Sequence, residues 1–169
     1  GGGLVVNGSI YHGASPGEAE IGHVRLDRNG TILESRCSGW AVDARIRELN
    51  KANPESELSR LAAGVKRGEA RFLAQAANQG DSGAVRILDE LAEDLAFGLS
   101  HVVHLFHPAV IAIGGGLSGV GEPLRRRVQE ALSRFVMEAF LPGPEVCLAG
   151  LGEDAVPIGA LELAKAPQG

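Results

Sequence analysis

Two carboxylates and one imidazole stand close together early in the chain: Glu20 and His23 in "AEIGH", and Glu34 closing "VRLDRNGTILE". Ionised carboxylates accept charge-assisted O–H bonds from vicinal hydroxyls, and imidazole adds a donor or acceptor, so the trio suits a polyol. Three solvated polar side chains between strands is the other reading, and the residue types alone leave both open. A second cluster is "IAIGGGLSGVGE", an apolar run ending in Gly114, Gly115 and Gly116. Open backbone at the carboxyl end of a parallel strand, ahead of a helix N-terminus, is where α/β sheets hold nucleotides. The spacing is not the dinucleotide fingerprint, and no Lys-Ser/Thr follows as in a Walker loop. A tight strand-to-helix loop without a ligand is therefore the competing reading. His101, His104 and His107 recur every three residues, but no carboxylate or cysteine joins them at a metal-ligand spacing. They are read as partly buried helix residues near a C-terminus.

The elements that must carry these residues follow from periodicity. Asn7-Gly8 between two apolar runs predicts a β-hairpin, residues 3–7 against 9–12. "HVRLD" alternates and predicts a third strand, ending at the Asn29-Gly30 turn. Ser38 is a predicted N-cap for a helix to about Asn50. Pro54 is expected in the first turn of a short helix ending at Gly64, and "GEARFLAQAANQG" reads as another helix. The longest helix is "DSGAVRILDELAEDLAFGLSHVVHLFHP", with Val85, Leu88, Leu91, Leu95, Leu99, Val102 and Phe106 on one face and Pro108 ending it. "AVIAI" is expected as a buried central strand. The helix "GEPLRRRVQEALSRFVMEAF", the strand "EVCLAG" and the helix "DAVPIGALELAKA" follow. The order is that of an α/β protein, and the early hairpin makes the expected sheet mixed. Trp40 and Phe140 are assigned to the core, and the arginines of "LRRRV" to a solvated face.

Composition narrows the class. A chain of 169 residues with 44% hydrophobic and 22% charged residues is long enough for one domain with a substantial core. Its 24 glycines are about twice the usual share and cluster where backbone must turn or meet a ligand. A net charge of −5 argues against nucleic acid as the partner of this segment. No apolar run reaches membrane length and no secretory segment is present, so a cytoplasmic location with free thiols at Cys37 and Cys147 is expected. The opening at "GGGLVVNG" suggests a segment of something longer.

Taken in order, "GGGLVVNGSIYHGASPGEAEIGHVRLD", "ESRCSGWAVDARI", "PAVIAIGGGLSGVGEPLRRRVQEAL" and "EDAVPIGALELAK" resemble the second half of the ROK family of bacterial sugar kinases and sugar-responsive repressors. The resemblance covers essentially the whole chain. It implies that residues 1–169 are the C-terminal lobe of an actin-like ATPase fold of ribonuclease-H type, with the N-terminal lobe upstream. It also implies that Glu20 and His23 face sugar hydroxyls, that Glu34 is the second acidic sugar contact, and that Gly114, Gly115 and Gly116 lie on the nucleotide side of the cleft. The implied ligands are a hexose and ATP with Mg²⁺, and the implied assembly is a homo-oligomer.

Two departures qualify this. Many family members carry a cysteine-rich zinc loop between the His and the second Glu; here "VRLDRNGTIL" has no cysteine, so no zinc is expected. The family's catalytic Asp and its Asp-x-Gly-x-Thr phosphate loop have no counterpart among Asp27, Asp43, Asp81, Asp89, Asp94 or Asp154. The segment alone is thus expected to be inactive. The expected parent is an ATP-dependent, glucokinase-like hexose kinase. The alternatives are the sugar-sensing domain of a repressor and a noncatalytic sugar-binding or assembly half.

Overall fold

A computed structural model describes residues 1–14 and 17–165. Its organising element is α5 (Ser82–Phe106), the longest helix among the described residues. The Asp81 side chain caps it by accepting from the Ala84 N–H at 2.9 Å, and His107 ends it in the left-handed region at φ 42°. Leu88, Leu91, Leu95 and Leu99 are buried along its length. Each such side chain contributes about 1.5–3 kcal/mol of apolar burial. Around α5 pack α1 (Leu33–Cys37), α2 (Gly39–Ala52), α4 (Leu73–Asn78) and α6 (Glu122–Leu132).

The second layer is a β–α–β unit. Strands β3 (Val110–Ile113) and β4 (Glu145–Leu148) pair in parallel, with Ile111 opposite Val146 and Ile113 opposite Leu148. The intervening α6 ties down the far edge of β4: Gln129 accepts from the Val146 N–H at 2.7 Å and donates to the Pro144 carbonyl at 3.1 Å. The hairpin β1 (Val5–Val6) and β2 (Ser9–Ile10) stands apart, turned by Asn7 at φ 53° and Gly8 at φ 78°. Short helix α3 (Glu57–Leu61) and C-terminal α7 (Ala155–Lys165) complete the order, and both cysteines are free. No helix among the described residues is long and apolar enough to cross a membrane.

Several expectations change. Among the described residues the strands form not one mixed sheet but two separate pairs; all four hairpin-strand residues are exposed and offer no buried face to β3 and β4. The strand expected at 23–27 is instead a 3-10 turn, Ile21–His23, followed by a single antiparallel bridge between Arg25 and Ile32. β3 is not a buried central strand: among the described residues β4 is its one neighbour, and Val110 is exposed. The helix after Pro54 starts later, at Glu57, because the Ser56 hydroxyl caps it from outside. The 68–80 helix divides into a 3-10 turn, Glu69–Phe72, and α4, since the Asp43 carboxylate holds the first N–H groups. α6 stops at Leu132 rather than near residue 140. Along α5, Val103 is buried in place of Val102, and Phe106 is 56% exposed. Trp40 is no core residue either, at 63% exposed, whereas Phe140 is half-buried and stacked on His107 at 3.9 Å. Arg125 and Arg127 do not simply face water, since they bond the Val146 carbonyl at 3.1 Å and Asp89 at 2.7 Å. α7 runs as expected to Lys165; Ala166, its expected end, lies outside the described residues.

Candidate functional site

The polar trio is assembled by two short elements clamped together. Ala19 takes a left-handed φ of 56°, uncommon for a side chain with a Cβ, and the chain then winds into the Ile21–His23 turn, closed by the His23 N–H on the Glu20 carbonyl at 3.0 Å. Glu34 opens α1. The two pieces are joined by the Leu33 N–H donating to the Val24 carbonyl at 2.9 Å and by the Arg25–Ile32 bridge.

Gly22 sets how near they come. A Cβ added there would stand 3.3 Å from the Glu34 Cβ and 3.7 Å from its Oε2, so the glutamate lies directly over the glycine between Glu20 and His23. His23 Nδ1 is 3.8 Å from Glu20 Oε2. All three side chains are exposed. Glu20 and His23 thus form an open polar patch on one turn, and the Glu34 side chain approaches that turn at Gly22. Two carboxylates and an imidazole so placed can accept and donate to adjacent hydroxyls of one solute.

The glycine run behaves differently along its length. Gly114 is extended and packs toward Ala149, with 3.4 Å from its hypothetical Cβ to that side chain. Gly115 adopts φ 65° and starts a 3-10 turn, Gly115–Val120, and Gly121 at φ 80° leads into α6. Gly116 and Gly119 face a cavity of about 570 Å³. Gly114 and Gly115 shape the turn behind it without lining it.

The rest of that cavity comes from residues for which the sequence suggested no binding role. Gly39 and Trp40, in the first turn of α2, form one wall, and Lys66, Arg67 and Arg71 supply positive charge on another. The cationic loop is held from below. Asp43, 7% exposed, accepts from the Gly68 N–H at 2.8 Å and the Ala70 N–H at 2.9 Å. Glu69, 2% exposed, takes a two-pronged bond from Arg47 at 2.6 and 3.0 Å, and Arg47 also donates to the Lys66 carbonyl at 3.0 Å. Burial alone would raise the Glu69 carboxyl, but the Arg47 guanidinium outweighs it and holds the group below its ordinary value. The signal available in sequence was the run "VKRGEAR" between helices and an aromatic at a helix start. Such patterns are usually solvated charge and core.

The polar patch and the basic cavity are linked through one elbow. α1 carries Glu34, α2 carries Gly39 and Trp40, and Ser38 alone separates the helices, capping α2 through its hydroxyl to the Ala41 N–H at 3.3 Å. Among the described residues no three His, Cys, Asp or Glu side chains gather as a metal would require. His104 instead receives the Met137 N–H on Nε2 at 3.1 Å, and His101 packs edge-on to Phe97.

Comparison with known proteins gives concordant results. The family model described as "ROK family" matches residues 1–167. A glucokinase of Thermotoga maritima is 34% identical over 98% of this chain and 55% of its own length. The crystal structure of a ROK family glucokinase from Streptomyces griseus, in complex with glucose and AMPPNP, superposes with a TM-score of 0.82 at 30% identity, covering 96% of this chain and 56% of that one. The N-acetylglucosamine repressor of Escherichia coli is 25% identical over 98% of this chain and 41% of its own length. The chain thus spans about half the length of the curated glucokinases it matches.

Proposed function

The chain belongs to the ROK family, and we propose that its residues form the C-terminal, sugar- and nucleotide-binding half of an ATP-dependent hexose kinase of the glucokinase kind. In this reading Glu20, His23 and Glu34 orient the sugar ring through its hydroxyls. The observation that supports it is the approach of Glu34 to Gly22, the residue between Glu20 and His23, whose side chains stand 3.8 Å apart.

The 570 Å³ cavity would take ATP, with the Gly116 and Gly119 backbone open to the nucleotide, Lys66, Arg67 and Arg71 facing its charge, and Trp40 offering a flat aromatic surface. Magnesium would enter bound to the nucleotide phosphates, as is usual for this ion. Phosphoryl transfer depends on positioning and charge stabilisation from both sides of the γ-phosphate. The base that takes the sugar proton and the first phosphate loop have no match within these residues, so this half supplies recognition and is inactive alone. An actin-like, two-lobed parent closing over both ligands fits that division, as does a homo-oligomer in the cytoplasm.

The second reading, the sugar-sensing domain of a repressor, is favoured by the full-length coverage of this chain by the Escherichia coli repressor. The higher identity to the Thermotoga glucokinase favours the kinase. The residues encoded ahead of Gly1 discriminate: a helix-turn-helix means a repressor, and an Asp-x-Gly-x-Thr loop means a kinase. For the site itself, Glu20→Gln, His23→Ala and Glu34→Gln should each weaken glucose binding by roughly tenfold or more while nucleotide affinity changes less than about threefold. Equal losses for both ligands would remove these residues from the sugar site.

A further inference from the structure

A nine-residue connection, Val24 to Ile32, joins the Glu20–His23 turn to α1 and Glu34. Its residues 27–30 are all exposed, and only Leu26 among its apolar residues packs on the core. What closes it is a set of polar bonds. The Leu26 N–H donates to the Thr31 carbonyl at 2.8 Å, which makes the ends antiparallel. At the tip, one oxygen of Asp27 accepts from the Asn29 N–H at 2.7 Å and from the Thr31 N–H at 3.2 Å, and Gly30 adopts φ 101° so that the chain can return.

We infer that Asp27 is a positioning residue: its carboxylate locks the 24–32 loop and thereby fixes Glu34 over Gly22 at the spacing the polar patch needs. This rests on the proposed sugar site for its functional half and on geometry alone for its structural half. The physical argument is one of leverage. Without the carboxylate, two backbone N–H groups lose their partner, and a four-residue exposed tip containing a glycine is free to sample other conformations. The register of Arg25 against Ile32 then loosens, and the Leu33–Val24 bond, one residue from Glu34, loosens with it. The bonds that depress the Asp27 carboxyl below its ordinary value, first the Thr31 hydroxyl and then the backbone N–H groups, agree with an ionised group engaged in the loop. Nothing about Asp27 touches the patch itself, so its effect on ligand must pass through Glu34.

The test compares Asp27→Ala with Asp27→Asn, whose side-chain oxygen can still accept both N–H bonds. The first readout needs no ligand: the NOE between the Gly22 α-protons and the Glu34 β-protons, with α5 amide shifts as the check that the fold is intact. The second is glucose affinity. Expected for Asp27→Ala is loss of the NOE with unchanged α5 shifts and a roughly tenfold loss of glucose affinity, and for Asp27→Asn both near wild type. An intact NOE in Asp27→Ala overturns the positioning claim. A lost NOE with unchanged glucose affinity overturns the link to ligand and counts against the proposed sugar site, while the loop geometry stands. Equal loss in both variants also overturns the inference, since it would trace the effect to charge rather than to the bonded loop.

Discussion

Asp43 is a buried carboxylate whose two oxygens are both spoken for by backbone, one by Gly68 and one by Ala70. Truncating it leaves two N–H groups under Trp40 and the cationic loop without partners. Asp43→Ala should therefore destabilise the protein by about 2–4 kcal/mol, read as a lower urea midpoint at unchanged slope. A change below about 0.5 kcal/mol would mean that water replaces the carboxylate and that the loop is not held from beneath. This residue also marks the limit of sequence reading at the residue scale. Glu20, His23 and Glu34 could be picked out because their types and spacing carry chemistry. Asp43 and Glu69 looked like ordinary helix and loop acids, since nothing local reveals that residues 43 and 68 meet. Trp40 was misassigned for a related reason: hydrophobicity argues for burial, and only the packed helices reveal that the first turn of α2 opens onto a cavity.

Among the elements, α1 is directly seated on the core helix α5. Leu33, buried beside Glu34, sits against Gly98 of α5 so closely that a Cβ there would stand 2.8 and 2.9 Å from its two methyl carbons. Gly98→Ala gains helix propensity of up to about 1 kcal/mol but forces a buried leucine off its seat, which costs about 1–3 kcal/mol. The expected result is a net loss near 1 kcal/mol together with altered Gly22–Glu34 contact, followed by denaturation and by the same NOE. A stabilised variant with that contact unchanged would show that Leu33 repacks freely and does not set the position of α1. Helices were legible where period and cap agreed, as for Asp81 with α5 and Ser38 with α2. The hairpin at Asn7-Gly8 and the strands in "AVIAI" and "EVCLAG" were legible as well, but how the strands assemble into sheets was not, because strand pairing is decided by residues distant in sequence. The alternation of "HVRLD", residues 23–27, predicts a strand, yet Asp27 satisfies the backbone of the following turn locally and leaves a single bridge.

On the scale of the whole molecule, two buried or half-buried carboxylates tie helices to loops and should set the acid limit of the fold. For Asp81 burial alone would raise the carboxyl, but the Leu58 and Ala84 N–H groups hold it below its ordinary 3.8; for Glu69 the Arg47 guanidinium likewise prevails over burial and holds it below 4.5. A carboxylate with a depressed folded value stabilises above its unfolded value, and that contribution is lost as pH falls through the folded one. The urea midpoint should thus be level from neutral pH to about 5 and fall below about 4; a midpoint unchanged down to about 3 would show that these anchors matter little. The central claim concerns the sugar patch, and its most direct measurement is a glucose titration followed by amide chemical shifts on this chain. The expected outcome is a saturable set of shifts confined to Gly22, His23 and Glu34 and their neighbours, with the Gly116–Gly121 turn and the Lys66–Arg71 loop unmoved until nucleotide is added. Saturable shifts centred elsewhere, or none at the trio up to millimolar glucose, would contradict it.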